Sequence, residues 1–458
     1  MGLIGSIINP NGSASSSFDT VTTTAPIPVL GERLLWRDTF ISLRAHNYRL
    51  YVVAQFVAYT GAWMQRIATD WLVLELTGNV ALVGLTVAIQ FTPILVFGAY
   101  GGVIADRYSK RALLLAVQST AAVLCATLAT LALTGVVALW QIYALVFLLG
   151  LVAVVDNPAR AVFVNEMVGH HRLRNAISIN ASIFHLGGLL GPALSGIMIV
   201  LVGAGWAIAI NALGAAVVVL ALAAMRASEL GISPRAVRAK GQIREALRYA
   251  SKKPAIFWSL VTMAFVSVFG MSLPILLAGL AKNVFDTGST GYGIYNSLVA
   301  IGALVGAIAS TRRRTMRLRT IVFSAAAYGV LQMLAGFAPW YIGFLVLLPG
   351  IGLARLLFAT AAESMTQLSS NTVIRARVMS LYVMVVVGGQ AIGGPMMGWI
   401  AEHFGPRSAM MLSGAVPALA AIVIALILAR SGKLRLKVSL KRRESLVSIV
   451  SRRGLARA

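Results

Sequence analysis

Residues 101–111 read GGVIADRYSKR, and they close one long apolar run and open another. The run before them, roughly 81–104, and the run after them, roughly 112–134, are each long enough to cross a bilayer as a helix of about 20 residues. Between the two stand one acid, Asp106, and three bases, Arg107, Lys110 and Arg111. Two apolar helices joined by a short charged turn read as a membrane hairpin with its loop in water.

Working outward, ten further apolar runs of the same kind lie at roughly 50–76, 138–158, 175–200, 204–225, 255–280, 290–310, 319–338, 341–362, 377–400 and 407–430. The composition agrees: of 458 residues 58% are hydrophobic and only 12% charged, and mean hydropathy is +0.83. Soluble domains carry about a quarter charged residues, so this surface could not be covered in water. Disorder and fibres are excluded by the same numbers, and a disulfide scaffold by the single cysteine, Cys125. The expected class is an all-α polytopic membrane protein with twelve transmembrane helices.

A net charge of +25 would suggest nucleic acid in a soluble protein; here the positions of the charges decide otherwise. With both termini placed inside, 35 of the 39 Lys and Arg fall on the inner face or in the tails. The outer face keeps Lys282 and Arg407, and Arg66 and Arg355 fall within spans. That asymmetry is the positive-inside rule. The charge orients the chain in a plasma (inner) membrane and meets anionic lipid; no nucleic-acid partner is needed to account for it.

The chain divides into a tail at 1–45, six spans at 46–225, a basic linker at 226–254, six more spans at 255–430 and a basic tail at 431–458. Residues 1–28 are rich in Ser, Thr, Gly and Pro without a basic leader, which reads as a disordered tail rather than a cleaved signal. In the linker, Ile243, Ala246, Leu247 and Ala250 recur at helical spacing, with Arg244, Arg248 and Lys252 between them. This predicts an amphipathic helix on the inner surface. The halves repeat: LVFLLG at 145–150 matches LVLLPG at 345–350, GLLGP at 188–192 matches AIGGP at 391–395, and GGVIAD at 101–106 matches VGAIAS at 305–310. Offsets of 200 to 204 at like places in each half indicate a duplication. Duplicated, pseudo-symmetric halves around a midplane site are a transporter architecture.

The 101–111 string resembles the signature loop of the major facilitator superfamily. Gly102, Asp106, Arg107, Lys110 and Arg111 match it, while Ser109 stands where the pattern has its second glycine. The resemblance implies the major facilitator fold, with Asp106 facing the positive N-terminal end of helix eleven and holding the cytoplasmic side closed. Ser310 at the equivalent place would leave that latch asymmetric. Span five carries HLGGLLGPALSG at 185–196, where Gly187, Gly191, Pro192 and Gly196 make a smooth face for close helix approach. The string is similar to the glycine-proline motif of exporters in this superfamily, which implies efflux; ordinary small-residue packing is the other reading. Span eleven repeats it with Gly389, Gly393, Gly394, Pro395 and Gly398. NYRL at 47–50, GAWMQRIATDWLVLELTG at 61–78, DNPAR at 156–160 and RARVMSLY at 375–382 resemble the enterobactin-exporter-like branch, which also holds multidrug efflux proteins. One departure is Val146, where many proton-coupled drug exporters carry an arginine in helix four.

Ionisable groups at membrane depth are expensive and mark function candidates. Arg66 and Asp70 stand four residues apart on span one, Arg66 about 24 Å from the inner end. They form either a structural pair in an outer vestibule or a proton site at Asp70. Glu75 reads as interfacial. His185 near mid-depth of span five is a proton shuttle or a packing histidine. Arg355 in span ten either attracts an anionic substrate or neutralises Glu363. Asp156 and Arg160 at the inner end of span four read as a cytoplasmic gate pair. Trp63, Gln90 and Gln118 are candidates for an amphipathic pocket, with core packing as the alternative for each. No nucleotide loop, paired-cysteine site or HExxH motif points to ATP use, metal or catalysis.

The expectation is therefore a monomeric, multi-pass transporter, not an enzyme, that exports small amphipathic drug- or siderophore-like molecules by alternating access. It needs no cofactor and draws on the proton gradient as an antiporter. Two alternatives stay open: an uncoupled or importing facilitator of a nutrient or lipid, and a sensor or scaffold that has lost transport.

Overall fold

The computed structural model describes residues 27–28, 41–231, 242–311, 315–371, 374–431, 434–438 and 447–451. Most of both tails, Arg312, Arg313 and Arg314, and much of the linker lie outside the described residues, as do the side chains of Asp106, Arg174, Ile243 and Arg430. Fourteen α-helices follow in order among the described residues: α1 His46–Thr77, α2 Val80–Arg107, α3 Lys110–Thr134, α4 Leu139–Val168, α5 His170–Val202, α6 Ala204–Ala224, α7 Gln242–Lys252, α8 Pro254–Phe265, α9 Leu273–Asn283, α10 Gly288–Thr311, α11 Leu318–Phe337, α12 Tyr341–Leu368, α13 Arg375–Phe404 and α14 Pro406–Ser431. Two short antiparallel strand pairs, Ile27–Pro28 with Thr315–Met316 and Leu434–Val438 with Val447–Ser451, complete the described backbone.

Eleven segments are long and apolar enough to cross a membrane, with α8 and α9 forming one interrupted span. The twelfth is α1. Its 32 residues reach about 48 Å, but Asn47, Gln55, Gln65 and Asp70 lower its apolarity. All four are buried, so the polar side of α1 faces other helices rather than lipid. The span expected at 255–280 is not continuous. A π-helical turn, Val266–Gly270, interrupts it, closed by Met271 N–H on the Val266 carbonyl at 2.9 Å. The Tyr328 hydroxyl donates to the Gly270 carbonyl at 2.6 Å, and Pro274 then sits in the first turn of α9, where a missing N–H costs nothing.

Turn chemistry makes the hairpins tight. Gly78 ends α1 at φ 69° and donates to the Leu74 carbonyl, a left-handed cap that suits glycine. Asn79 Oδ1 then accepts from Ala81 and Leu82 N–H at the start of α2.

The duplication is visible in the packing. In the first half α1 packs on α6, α3 on α6, α2 on α4 and α3 on α4; in the second α11 packs on α14, α10 on α12 and α11 on α12. Between halves α2 lies along α13 and α5 along α10, the same contact made twice. The backbone-to-backbone part of these contacts lies toward the end of the bundle opposite the basic loops, at Gly84–Gly394, Val80–Gly398 and Gly196–Gly293. There α2 buries Val80, Val83 and Val87, and α10 buries Tyr292, Tyr295 and Asn296. Toward the basic end the same helices expose Val96, Phe97 and Tyr100, and Ile301, Val305 and Ile308. The apolar core divides likewise. Met64–Leu74 and Val80–Val87 join one continuous cluster with the second half. Tyr48, Tyr51, Leu114, Phe163, Val218 and Leu222, near the basic end of the first half, form a separate cluster. The halves pack most closely at the charge-poor face.

Amphipathic α7 docks on the second half. Ala246 and Ala250 are buried and Leu247 is exposed. Glu245 pairs with Arg377 of α13 at 2.5 Å, and Lys253 Nζ donates to the Ser369 carbonyl at the end of α12.

Candidate functional site

Between the halves a narrow cleft is lined by Arg66 and Asp70 of α1, Val87 of α2, Met271, Ser272, Pro274 and Ile275 around the break between α8 and α9, and Gln390 of α13. Its empty space is about 210 Å³ counting the open mouth, and in this conformation it is too narrow to admit a water molecule. Arg66 does not pair with Asp70, although their spacing puts both on one helix face; no ion pair within 4.0 Å joins them. Instead Arg66 Nη2 donates to Gln390 Oε1 at 2.7 Å, across the halves. Its guanidinium lies 5.5 Å from the Trp63 ring and 5.1 Å from the Phe91 ring, in cation–π range. Arg66 Nε, Thr69 Oγ1, Asp70 Oδ2 and the Tyr292 hydroxyl are buried without hydrogen-bond partners. Buried atoms without partners are unusual in a folded interior, and three of these four belong to one turn of α1, Arg66 to Asp70. Beside Asp70, Trp71 stacks on Tyr292 of α10 with centroids 5.3 Å apart.

Glu363 of α12 faces His185 of α5 at 3.5 Å, not Arg355, and each side chain is about a third exposed. This is a second bridge between halves, on the open side. Arg355 is half-buried and makes no hydrogen bond or ion pair among the described residues.

Asp156 and Arg160 do pair, at 2.5 Å. Their other partners are Gln118, whose Nε2 donates to Asp156 Oδ1 at 2.7 Å, Gln55, which accepts from Arg160 Nη1, and the Tyr59 ring, 5.5 Å from the guanidinium. All belong to the first six helices. The cluster staples α1, α3 and α4 inside one half and spans no gap between halves. Gln118 is thereby withdrawn from the cleft. Gln90 is half-buried on α2, its carbonyl passed closely by Gly150.

The glycine motifs explain the fused end. A Cβ on Gly187 or Gly191 would strike Tyr59, Thr60 or Trp63 of α1, and one on Gly196 would lie 2.6 Å from Gly293 of α10. On α13, Gly389 and Gly393 meet Ser267 and Val268 of the π-turn, and Gly394 and Gly398 meet α2 at Gly84 and Val80. Thus 187, 191 and 196 correspond to 389, 393 and 398 at one offset of 202, each set serving one contact within its half and one across. Pro192 and Pro395 lie inside these helices. Two charges reinforce the closure: Lys282 Nζ donates to the Leu74 carbonyl at 2.8 Å, and Glu402 Oε2 accepts from Val80 N–H at 2.8 Å.

At the C-terminal end of α2 Gly102 is buried and Arg107 exposed. Lys110 Nζ donates to the Tyr108 carbonyl at 3.3 Å. Arg111 donates to the Leu222 and Ala223 carbonyls at 2.8 and 2.9 Å, capping the C-terminus of α6, a favourable place for a cation. Sequence reasoning missed Gln390 and Ser272. Both are polar residues inside apolar runs, which was the available signal. Among the described residues no group of three or more His, Cys, Asp or Glu converges as a metal site.

Over residues 37–455 the chain matches the family model described as transmembrane secretion effector. Enterobactin exporter EntS of Citrobacter koseri is 24% identical over 394 residues, covering 83% of this chain and 92% of that one. The fold is similar to that of a bacterial homologue of the human lysosomal transporter Spinster in an inward-facing, occupied conformation, with a TM-score of 0.65 at 15% identity, covering 84% of this chain and 97% of that one. It is also similar to nucleoside transporter NupG, with a TM-score of 0.61 at 14% identity, covering 83% and 98%. These are transporters, not enzymes. The family model runs through every membrane helix described above, and this chain belongs to the transmembrane secretion effector family, as a multi-pass transporter of the major facilitator superfamily.

Proposed function

We propose that the protein exports small amphipathic, siderophore- or drug-like molecules across the inner (plasma) membrane by alternating access, in exchange for protons. The observation that carries this reading is the close packing of the halves toward the charge-poor face, where Gly84 meets Gly394 and Gly196 meets Gly293, above the polar crevice at Arg66, Asp70 and Gln390. With the basic face cytoplasmic, by the positive-inside rule, and both termini there, cargo enters from the cell interior. The similarity to an enterobactin exporter favours outward movement of a siderophore-like cargo. A single chain supplies both halves, so a monomer suffices.

Proton coupling is assigned to the His185–Glu363 pair. It joins α5 to α12 across the gap, so neutralising Glu363 removes a link between the halves and ties the proton to their movement.

The test uses respiring everted vesicles and a dye that reports the inside-acid gradient. Adding a transported compound should collapse the signal in wild type. Glu363→Gln vesicles should show no collapse, yet still exchange labelled cargo downhill. No collapse with any compound of a drug and siderophore panel, at normal membrane levels, overturns proton-coupled export.

A further inference from the structure

We infer that Asp70 is a positioning residue of the transport cycle, taking Arg66 over from Gln390 when the halves part at the charge-poor face. The inference rests on the alternating-access reading and gives parts to two residues which that reading leaves idle.

With the face shut, Arg66 has one hydrogen-bond acceptor, Gln390 Oε1 at 2.7 Å, and its Nε is buried without a partner. Its other contacts are the Trp63 and Phe91 rings. Both rings belong to the first half, so they travel with Arg66. The stretch of α1 just before it is fastened to the same half. Ser195 of α5 donates to the Met64 carbonyl at 2.9 Å, and Asn211 of α6 donates to Gln65 at 2.5 Å. Gln390 is held by the other half. Its neighbours Gly389 and Gly393 lie against Ser267 and Val268 of the π-turn. Gly394, one turn further along α13, makes the backbone contact with Gly84 that has to break for this face to open. Opening therefore carries Gln390 away and leaves both rings in place.

An arginine in the bundle interior without an acceptor is costly, and the acceptor that stays is Asp70. It stands four residues along the same helix, about 6 Å by axial rise, which an arginine spans. Its Oδ2 is buried and unpartnered, so one ion pair would fill a vacancy on each side chain. That pair is absent with the face shut because Arg66 is drawn to Gln390 and to Trp63, one turn before it, whereas Asp70 lies one turn after. The separation of Arg66 and Asp70 along α1 does not depend on how the halves sit; the distance to Gln390 does. Arg66 thus has a neutral partner when the face is shut and a charged one when it is open, and the charged hydrogen bond is the stronger. No ligand has to enter the narrow cleft for the exchange to occur.

The experiment places spin labels on cysteines at Leu76 and Phe404, exposed residues at the charge-poor ends of α1 and α13. Their separation is measured by pulsed electron resonance on the full chain in nanodiscs; native Cys125 is buried. Gln390→Leu should raise the ratio of long to short distances about tenfold, and adding Asp70→Asn should lower it again by about as much. With Arg66→Met in place, neither change should move the ratio. Purely structural residues would move the ratio the same way at both positions, or move it without Arg66, and either result overturns the inference. If Arg66→Met does not fold, Asp70→Glu decides: added to Gln390→Leu it should keep the long distances that Asp70→Asn loses, and their loss in both overturns the exchange. One short distance in every variant would sink alternating access and the exchange together. Two distances in Gln390→Leu that ignore Asp70 would sink the exchange alone.

Discussion

Lys282 Nζ, on the second half of the chain, donates to the Leu74 carbonyl at the end of α1 at 2.8 Å, while Glu402 accepts from the first N–H of α2. A cation caps a helix C-terminus and an anion caps the next helix's N-terminus, each from across the molecule. Both charges suit the dipole ends they meet. Glu402 is exposed and Lys282 half-buried, so each contributes about 0.5–1 kcal/mol.

Removing both caps should loosen the fused face. In Lys282→Met/Glu402→Gln, the population open on the charge-poor side should rise about five- to thirtyfold. A cysteine placed at Met271, in the cleft, reports it: labelling of intact cells by an impermeant maleimide should speed up accordingly. Native Cys125 is buried and adds little background. An unchanged labelling rate would mean that the helix contacts alone hold this face shut.

Those contacts make their own prediction. A Cβ on Gly196 would sit 2.6 Å from both the Cα and the carbonyl oxygen of Gly293, with backbone on both sides and no side chain to yield. Overpacking of this kind costs about 1–3 kcal/mol. Gly196→Val should therefore cut vesicle transport about tenfold or more at normal membrane levels. Gly98 on the same face-to-face helix system has open space around it, and Gly98→Ala should transport at near wild-type rate. Equal rates in the two variants would refute the close-approach account.

Much of this arrangement is legible in the sequence, because spans, loops and small-residue spacing are local signals. The runs of apolar residues mark the helices, and Gly187, Gly191 and Gly196 announce a close approach before any partner is known. What the spacing leaves open is partner choice. Arg66 and Asp70 are four residues apart and free to pair, yet Gln390, 324 residues away, takes the arginine. Glu363 is a little over two turns from Arg355 and pairs with His185 of the other half. The break at Val266–Gly270 was hidden for the same reason: its hydrogen-bonding partner is Tyr328, and a hydropathy profile does not record it.

The Asp156–Arg160 pair should behave as a stability element of the first half. Asp156 is buried and holds both Arg160 and Gln118, so Asp156→Asn leaves a buried guanidinium without its counter-charge. Losing one partner of such a pair costs about 3–5 kcal/mol. Thermal unfolding in detergent should shift down clearly in Asp156→Asn and less in Asp156→Asn/Arg160→Leu, where no orphan charge remains. Arg226→Gln, which breaks the exposed Arg226–Glu229 pair, should change stability by about 0.5 kcal/mol or less. If Asp156→Asn melts like wild type, the cluster is no staple.

The interrupted helix gives the last prediction, since it shapes the cleft directly. Met271, Ser272, Pro274 and Ile275 line the cleft because the chain turns at Val266–Gly270, and the Tyr328 hydroxyl holds the Gly270 carbonyl at 2.6 Å. Tyr328→Phe keeps the ring and deletes that one bond, leaving a buried carbonyl under-satisfied at a cost of about 1–2 kcal/mol. The halves still meet through α2–α13 and α5–α10, so the expected effect is local. Amides of 266–272 should exchange faster with solvent, and KM for cargo should rise a few-fold with the maximal rate nearly kept, because the cleft's lining has shifted while the moving parts have not. Unchanged exchange in 266–272 would show that the turn is held by its own backbone bond, Met271 N–H to the Val266 carbonyl, and that Tyr328 is only a neighbour.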